Sequence, residues 1–359
     1  MQKIKFRFQA GHFDAFARLG ELRSVFLDLT NRCNLSCGYC FNYRTLQSPP
    51  LDLDLELIAK ALRSKLAASV TNWYISGGEP TLYPRLPAVL ELLHHNGKKP
   101  KIATNGTRLT AKMLRSWADL GVQSVQFSLD TLYPRLHTDL KGGSRRDHEA
   151  LLENIERAVG SPLRVVVSSV LTTANKGEIK DILAFCFRSG VSSHTLYPNV
   201  PPEELSKDLI VPFPELVELA DELFAAYQAL CPVKLIDMTV PCFRDTPVYA
   251  RWKDILAIRL HHCSAAQYAV KVASDGRVSA CICQEHEPFI IGDLRRESLD
   301  EIWVSDKARA FRTLHEQIPE CRLCAQKDIC RGGCRNNAYL LGSQGLASLD
   351  PYCRYLRSG

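Results

Sequence analysis

The sequence predicts an α/β protein: a partial (β/α)6 barrel, TIM-like in its alternation, followed by a small cysteine-rich domain. Three observations predict it. From Ser24 onward, short apolar or β-branched runs alternate six times with amphipathic segments, the pattern of βα units around a parallel sheet. The alternation stops after Pro198. From His261 onward, cysteines become dense.

The six strands are read at 24–30, 72–76, 101–104, 124–129, 163–171 and 194–198. Their near-continuous hydrophobicity suits strands covered on both faces. Helices are expected at about 54–68, 85–96, 110–120, 146–159 and 177–189, where apolar residues recur at three- and four-residue spacing. Right-handed crossovers would curl these units into an open barrel. Residues 199–212, with three prolines and several charges, read as a linker, and 213–230 as one long amphipathic helix. A hairpin is expected over 269–282, turning at Asp275-Gly276, and a helix over 298–317 begins with the capping box Ser298/Glu301. The organisation is therefore an N-terminal extension (1–21), the barrel (22–200), a linker with a bridging helix (201–258) and the cysteine-rich domain (259–359).

Composition excludes several classes of function. No apolar run approaches the ~18–20 residues of a membrane span, and the N-terminus lacks the apolar stretch and cleavage site of a secretory signal. The chain reads as cytoplasmic. Its net charge of +6 is spread along the sequence rather than packed into one tract, so it implies solvated surface and points to neither nucleic acid nor membrane. The 14 cysteines have no use as a disulfide framework in a reducing compartment, which leaves metal ligation as the better explanation for most of them. Cys186 and Cys231 sit in apolar, helix-like contexts and read as core residues.

The first cysteine group is Cys33-x3-Cys37-x2-Cys40, on the loop leaving the first strand. This is the C-terminal mouth of a parallel barrel, where such folds place their active sites. Three thiolates there suit a [4Fe–4S] cluster with one iron left open; a zinc site completed by a distant residue is the alternative. This triplet, with the aromatic Tyr39 before its last cysteine, resembles the signature of the radical S-adenosylmethionine (SAM) superfamily. The resemblance implies that the open iron binds SAM and that an electron from the cluster cleaves it to methionine and a 5′-deoxyadenosyl radical. It extends over about residues 22–200. Gly77-Gly78-Glu79-Pro80 after the second strand resembles the family's GGE segment, implying contact with the methionyl amino group. Thr104-Asn105 after the third strand and Ser128 with Asp130 after the fourth stand where the family contacts ribose and carboxylate.

The second group comprises Cys263, Cys281, Cys321, Cys324, Cys330, Cys334 and Cys353. Seven thiolates exceed the needs of one zinc and suit two clusters, although zinc ribbons remain open. The spacing, with the flanking IGDLRRESLDEIW and CRGGCRNNAY, resembles the SPASM extension found downstream of radical SAM barrels. The resemblance implies an auxiliary cluster I on Cys263, Cys281 and Cys334, and an auxiliary cluster II on Cys321, Cys324, Cys330 and Cys353. Three [4Fe–4S] clusters and SAM are thus the expected cofactors. Cluster I lacks a fourth ligand by motif; Cys242 is the preferred candidate, ahead of Cys283 and His262, with an open iron as the remaining possibility.

The machinery is better specified than its substrate. The leading expectation is hydrogen abstraction from a ribosomally made peptide or protein, ending in cross-linking, epimerisation or oxidation. Only 32 residues precede Cys33, which implies a separate peptide-recognition protein, and flavodoxin or ferredoxin is the expected electron donor. The alternative is a small-molecule oxidase, epimerase or decarboxylase acting on a sugar, aminoglycoside, nucleoside or tetrapyrrole; a non-catalytic iron–sulfur or zinc scaffold is a further one. Sulfatase maturation is disfavoured by Ile282, where relatives with that activity carry Asp. Tyr197, Asp237, His261, His262 and Glu285 lie near strand ends or the SPASM entrance, but none is assigned as general acid or base.

Overall fold

The computed structural model describes residues 5–8, 20–198, 202–230, 235–238, 241–260 and 262–353, with backbone alone at 5–8, 235–238, 241, 242, 257 and 259. Its centre is a run of six parallel strands in sequence order: β2 (Ser24–Asp28), β3 (Asn72–Ser76), β4 (Lys101–Thr104), β5 (Ser124–Ser128), β6 (Arg164–Leu171) and β7 (Ser193–Pro198). These are the six expected βα units. Val25, Leu27, Trp73, Ile75, Ile102, Val125, Phe127 and Val167 are fully buried, packed under helices that contribute Ile58, Leu90, Trp117, Ile155 and Ile182. Burial of such side chains stabilises by roughly 1.5–3 kcal/mol each.

The sheet extends beyond these six at both ends. Beside β7 lie β1 (Lys5–Phe8), then β8 (Leu235–Met238) and β9 (Ala257–Leu260), all parallel. The N-terminal extension and the expected linker therefore both contribute strands. Beside β2 lies β10 (Ala269–Val272), parallel to it from Ala269↔Ser24 to Val272↔Leu27, followed by antiparallel β11 (Arg277–Ser279) and β12 (Ile290–Asp293). The hairpin turns at Gly276, whose φ of 85° suits glycine. Among the described residues the order is β12-β11-β10-β2-β3-β4-β5-β6-β7-β1-β8-β9, with β12 and β9 at its ends.

Most helices fall where periodicity places them, including Phe213–Leu230. The helix expected over 298–317 is divided: Leu299–Val304 carries the capping box, and Asp306–Thr313 begins after Ser305, whose ψ of 157° breaks the first helix and whose side chain caps the second. Helix Pro134–Lys141 goes unmarked by periodicity, because its apolar positions are few. Among the described residues, no helix is long and apolar enough to cross a membrane.

The cysteine-rich part is also fastened to the barrel by side chains. Asp300 accepts from Ser64 Oγ (2.8 Å), Lys65 N (2.9 Å) and Leu66 N (3.0 Å), capping the 3-10 helix Lys65–Ala68. Burial raises the Asp300 carboxyl, but these donors outweigh it and hold it below its ordinary 3.8. A depressed carboxyl contributes stability that is present above its unfolded value and lost as the pH falls through the folded one. Asp300→Ala is expected to lower stability by about 1 kcal/mol at neutral pH, with the difference from wild type shrinking below pH 4 in pH-resolved thermal unfolding. A constant difference across that range refutes the capping role.

Candidate active site

The loop from β2 to the cysteine triplet is zipped to the turn after β3, backbone against backbone. Leu29 N donates to Ser76 O (3.0 Å), Gly78 N to Thr30 O (2.7 Å) and Glu79 N to Arg32 O (2.7 Å). The glycines permit this approach: a Cβ on Gly77, where φ is 130°, would lie 2.5 Å from Thr30 O, and one on Gly78 would lie 2.6 Å from the Arg32 carbonyl carbon. Further on, Ser36 N and Gly38 N donate to Lys141 O and Leu140 O, both at 2.9 Å, so the loop is held from its other side by helix Pro134–Lys141. Cys33, Cys37 and Cys40 are half-buried and border one cavity of about 370 Å³, together with Asn31, Arg32 and Tyr43.

Two buried carboxylates clamp the strand ends. Glu79, 1% exposed, accepts from Thr81 N (3.1 Å), Thr81 Oγ1 (2.7 Å) and Thr104 Oγ1 (2.8 Å) on one oxygen and from Asn105 N (2.7 Å) on the other. It ties the end of β3 to that of β4. Asp130 accepts from Val170 N (2.6 Å) on one oxygen, and from Tyr39 OH (2.6 Å) and Lys141 Nζ (2.8 Å) on the other. Lys141 also donates to Ser128 O (2.7 Å). Tyr39 is thereby anchored beneath the cysteine loop, and burial together with the Asp130 charge pushes its hydroxyl well above the ordinary range. Asn105 Nδ2 donates to Asn34 Oδ1 (2.9 Å) and lies 4.0 Å from Cys33 Sγ.

A third network joins the two halves of the chain. Lys271 on β10 is 1% exposed. Its ammonium lies 2.9 Å from Asp28 Oδ2 and 2.7 Å from Glu285 Oε1, and donates to Asn42 Oδ1 (2.9 Å) and Ile282 O (3.2 Å). Asn42, two residues after Cys40, passes the contact on through Nδ2 to Asp28 Oδ2 (3.2 Å) and Gly77 O (3.1 Å). Thr45 donates to Glu285, and Arg44 bonds both Glu204 and His286. Burial raises the Asp28 carboxyl, and Glu285 raises it further against the pull of Lys271. Burial also opposes the charges of Glu285 and Lys271, but attraction outweighs it: Lys271 pulls Glu285 down, and Asp28 together with Glu285 pushes Lys271 up.

The C-terminal cysteines fall into two neighbourhoods. Cys334 lies within electrostatic reach of Cys263 and Cys281, and Cys330 within reach of Cys353 and Cys321. Cys324 accepts from Gln326 N at 3.4 Å and closes a turn on Cys321. Cys283 lies beside Cys281, whose sulfur its backbone N–H meets at 3.4 Å. The side chain of Cys242, like those of Asp237, Cys231 and His261, lies outside the described residues. Cys186 is fully buried in the core.

The radical SAM superfamily model matches residues 27–186, and the SPASM iron–sulfur cluster-binding domain matches 263–325. The chain is a radical SAM protein with a C-terminal SPASM domain. It is similar to the PqqA peptide cyclase of Rhizobium meliloti, 25% identical over 345 residues, covering 92% of this chain and 86% of that one. It is also similar to the tungsten-containing aldehyde ferredoxin oxidoreductase cofactor-modifying protein of Pyrococcus furiosus, 25% identical, covering 86% and 89%. Among solved structures, Streptococcus suis SuiB bound to its precursor peptide SuiA superposes with a TM-score of 0.71 at 18% identity, covering 93% of this chain and 76% of that one. A peptide-bound anSMEcpe complex superposes with the same score at 16%, covering 94% and 95%. At such identities the structures establish the shared fold.

The radical SAM loop fits an iron–sulfur cluster on its donor chemistry. Burial pushes the Cys37 and Cys40 thiols up to about 12 and about 11 and raises Cys33, so their thiolates need nearby positive charge, which a cluster's irons provide. The three thiols border a cavity, and among the described residues no group of three His, Cys, Asp or Glu side chains is arranged to hold a single ion. The same burial raises Cys263 to about 11 and Cys330 to about 12 in the SPASM domain. Sequence reasoning missed Asp28, Asn42, Lys141 and Lys271. A signal existed for two of them, because a charge inside an apolar strand, as in SVFLDLT and AVKVAS, requires a buried partner.

Gly78→Ala is expected to push the Cys33 loop away from the β3 turn and to remove the iron held by the triplet while the SPASM iron stays. Iron analysis and reductive SAM cleavage read the change. Wild-type iron and cleavage in this variant contradict the zipped-loop geometry.

Proposed function

We propose that this protein uses SAM-derived radical chemistry to modify a ribosomally made peptide or protein, by hydrogen abstraction followed by cross-linking, epimerisation or oxidation. The observation that carries this reading is similarity along nearly the whole chain to several PqqA peptide cyclases, at 24–27% identity and 91–92% coverage. The small-molecule alternative keeps one specific support, the comparably similar cofactor-modifying protein of Pyrococcus furiosus.

In the proposed mechanism Cys33, Cys37 and Cys40 hold a [4Fe–4S] cluster with one open iron. When bound there, the cluster supplies the electron that cleaves SAM to methionine and a 5′-deoxyadenosyl radical. The chain's own residues hold and orient the reactants. The Gly77–Pro80 turn, Thr104, Asn105, Ser128 and Asp130 would surround SAM at neighbouring strand ends. Glu79 lies under the turn, where burial raises its carboxyl and the four hydrogen bonds its oxygens accept offset that only in part; a methionyl ammonium placed there would favour its ionised form. Tyr39 and Asp130 act by keeping the cluster loop in register with β5. Two auxiliary [4Fe–4S] clusters complete the proposal, on Cys263, Cys281 and Cys334 and on Cys321, Cys324, Cys330 and Cys353, with Cys242 as an added ligand of the first. A flavodoxin or ferredoxin in the cytoplasm supplies the electron, and a separate recognition protein presents the peptide.

Anaerobically reconstituted protein is expected to hold about 12 iron atoms, four for each of three clusters. Incubated with SAM, reductant and a short precursor peptide encoded beside its gene, it is expected to yield 5′-deoxyadenosine together with a peptide altered in mass or fragmentation. About four irons with stoichiometric zinc contradict the auxiliary clusters. Turnover of a small molecule with an unchanged peptide favours the alternative substrate class.

A further inference from the structure

We infer that Arg335 is the charge partner of auxiliary cluster I and raises that cluster's reduction potential. The inference rests on the reading that Cys263, Cys281 and Cys334 hold a cluster. Arg335 follows Cys334 and opens helix Arg335–Leu341, and the residue is only 4% exposed. One guanidinium nitrogen is satisfied, donating to Leu346 O (2.8 Å) and Ser348 O (2.9 Å). The other two, Nε and the second terminal nitrogen, are buried and meet no partner among the described residues.

A buried guanidinium with two idle donors is costly. The Asp350 carboxylate lies within reach of this charge, but its hydrogen bonds come from Cys334 N (2.6 Å) and Tyr352 N (3.0 Å) and none from the guanidinium. Thiol sulfur lies within reach of Arg335 as well. Its own backbone N–H donates to Cys263, and its charge acts on the same thiol. Gly332, with φ of 89°, leaves the space beside the guanidinium open, since a Cβ there would come within 3.3 Å of it. An anionic cluster on these three thiolates would add counter-charge and offer sulfur acceptors to the idle donors. Each added electron makes the cluster more negative, so a fixed positive charge stabilises the reduced state most and raises the potential. Arg335 is thus a positioning residue for electron transfer, distinct from the ligands themselves.

The test is a redox titration of the reconstituted full-length protein followed by electron paramagnetic resonance, with cluster I assigned as the signal lost in Cys263→Ala. At the wild-type midpoint, Arg335→Gln is expected to shift the reduced-to-oxidised ratio at least tenfold toward oxidised, about 59 mV for one electron, while Arg335→Lys retains most of the wild-type behaviour. If Arg335→Gln instead loses about four irons and Arg335→Lys restores them, charge compensation is again supported. An unchanged midpoint with full iron, or equal iron loss in both variants, overturns the inference. A wild-type protein with no signal that Cys263→Ala removes overturns the cluster reading beneath it.

Discussion

The Lys271 ammonium is the contact on which the arrangement of the two halves depends. It is buried against Asp28 and Glu285, and its partners come from three separate places: the end of β2, the segment after Cys40, and the segment after Cys281. Removing one member of such a group leaves an uncompensated charge in the interior, at a cost of about 3–5 kcal/mol. The pairing of β10 with β2 brings the lysine to that position, where the two carboxylates offset the cost of burying its charge. Strand register and ion network therefore specify each other.

The cysteine loop gains its rigidity from the same logic at smaller scale. It carries no regular secondary structure up to Asn42, yet its backbone is bound to the β3 turn on one side and to the end of helix Pro134–Lys141 on the other. Glu79 and Asp130 then lock the strand ends that flank it. A radical intermediate must be held away from water and from the wrong hydrogen atoms. A loop fixed by backbone contacts and saturated carboxylates provides a rigid floor for that purpose.

Much of this was legible in the residues. The six βα units, the placement of Cys33, Cys37 and Cys40 after the first strand, and the hairpin at Gly276 follow from local pattern and spacing. Strands β1, β8 and β9 did not: β4 is as short but stands within the βα alternation, whereas these three four-residue strands lie outside it and are stabilised by their neighbours more than by their own sequence. Helix Pro134–Lys141 was hidden by its few apolar positions. Lys271 showed itself only as a charge out of place, since its partner Asn42 lies 229 residues away, and no local pattern encodes such a pairing. For Glu79 the sequence pointed to the right turn, while the four donors that occupy its carboxylate emerged only from the fold.

Hydrogen exchange followed by mass spectrometry in Lys271→Met tests most directly whether this buried charge holds the two halves together. Faster exchange is expected in both 28–46 and 282–289, with β5 and β6 unchanged. Wild-type exchange in those two segments, in a variant that still folds, would contradict the account.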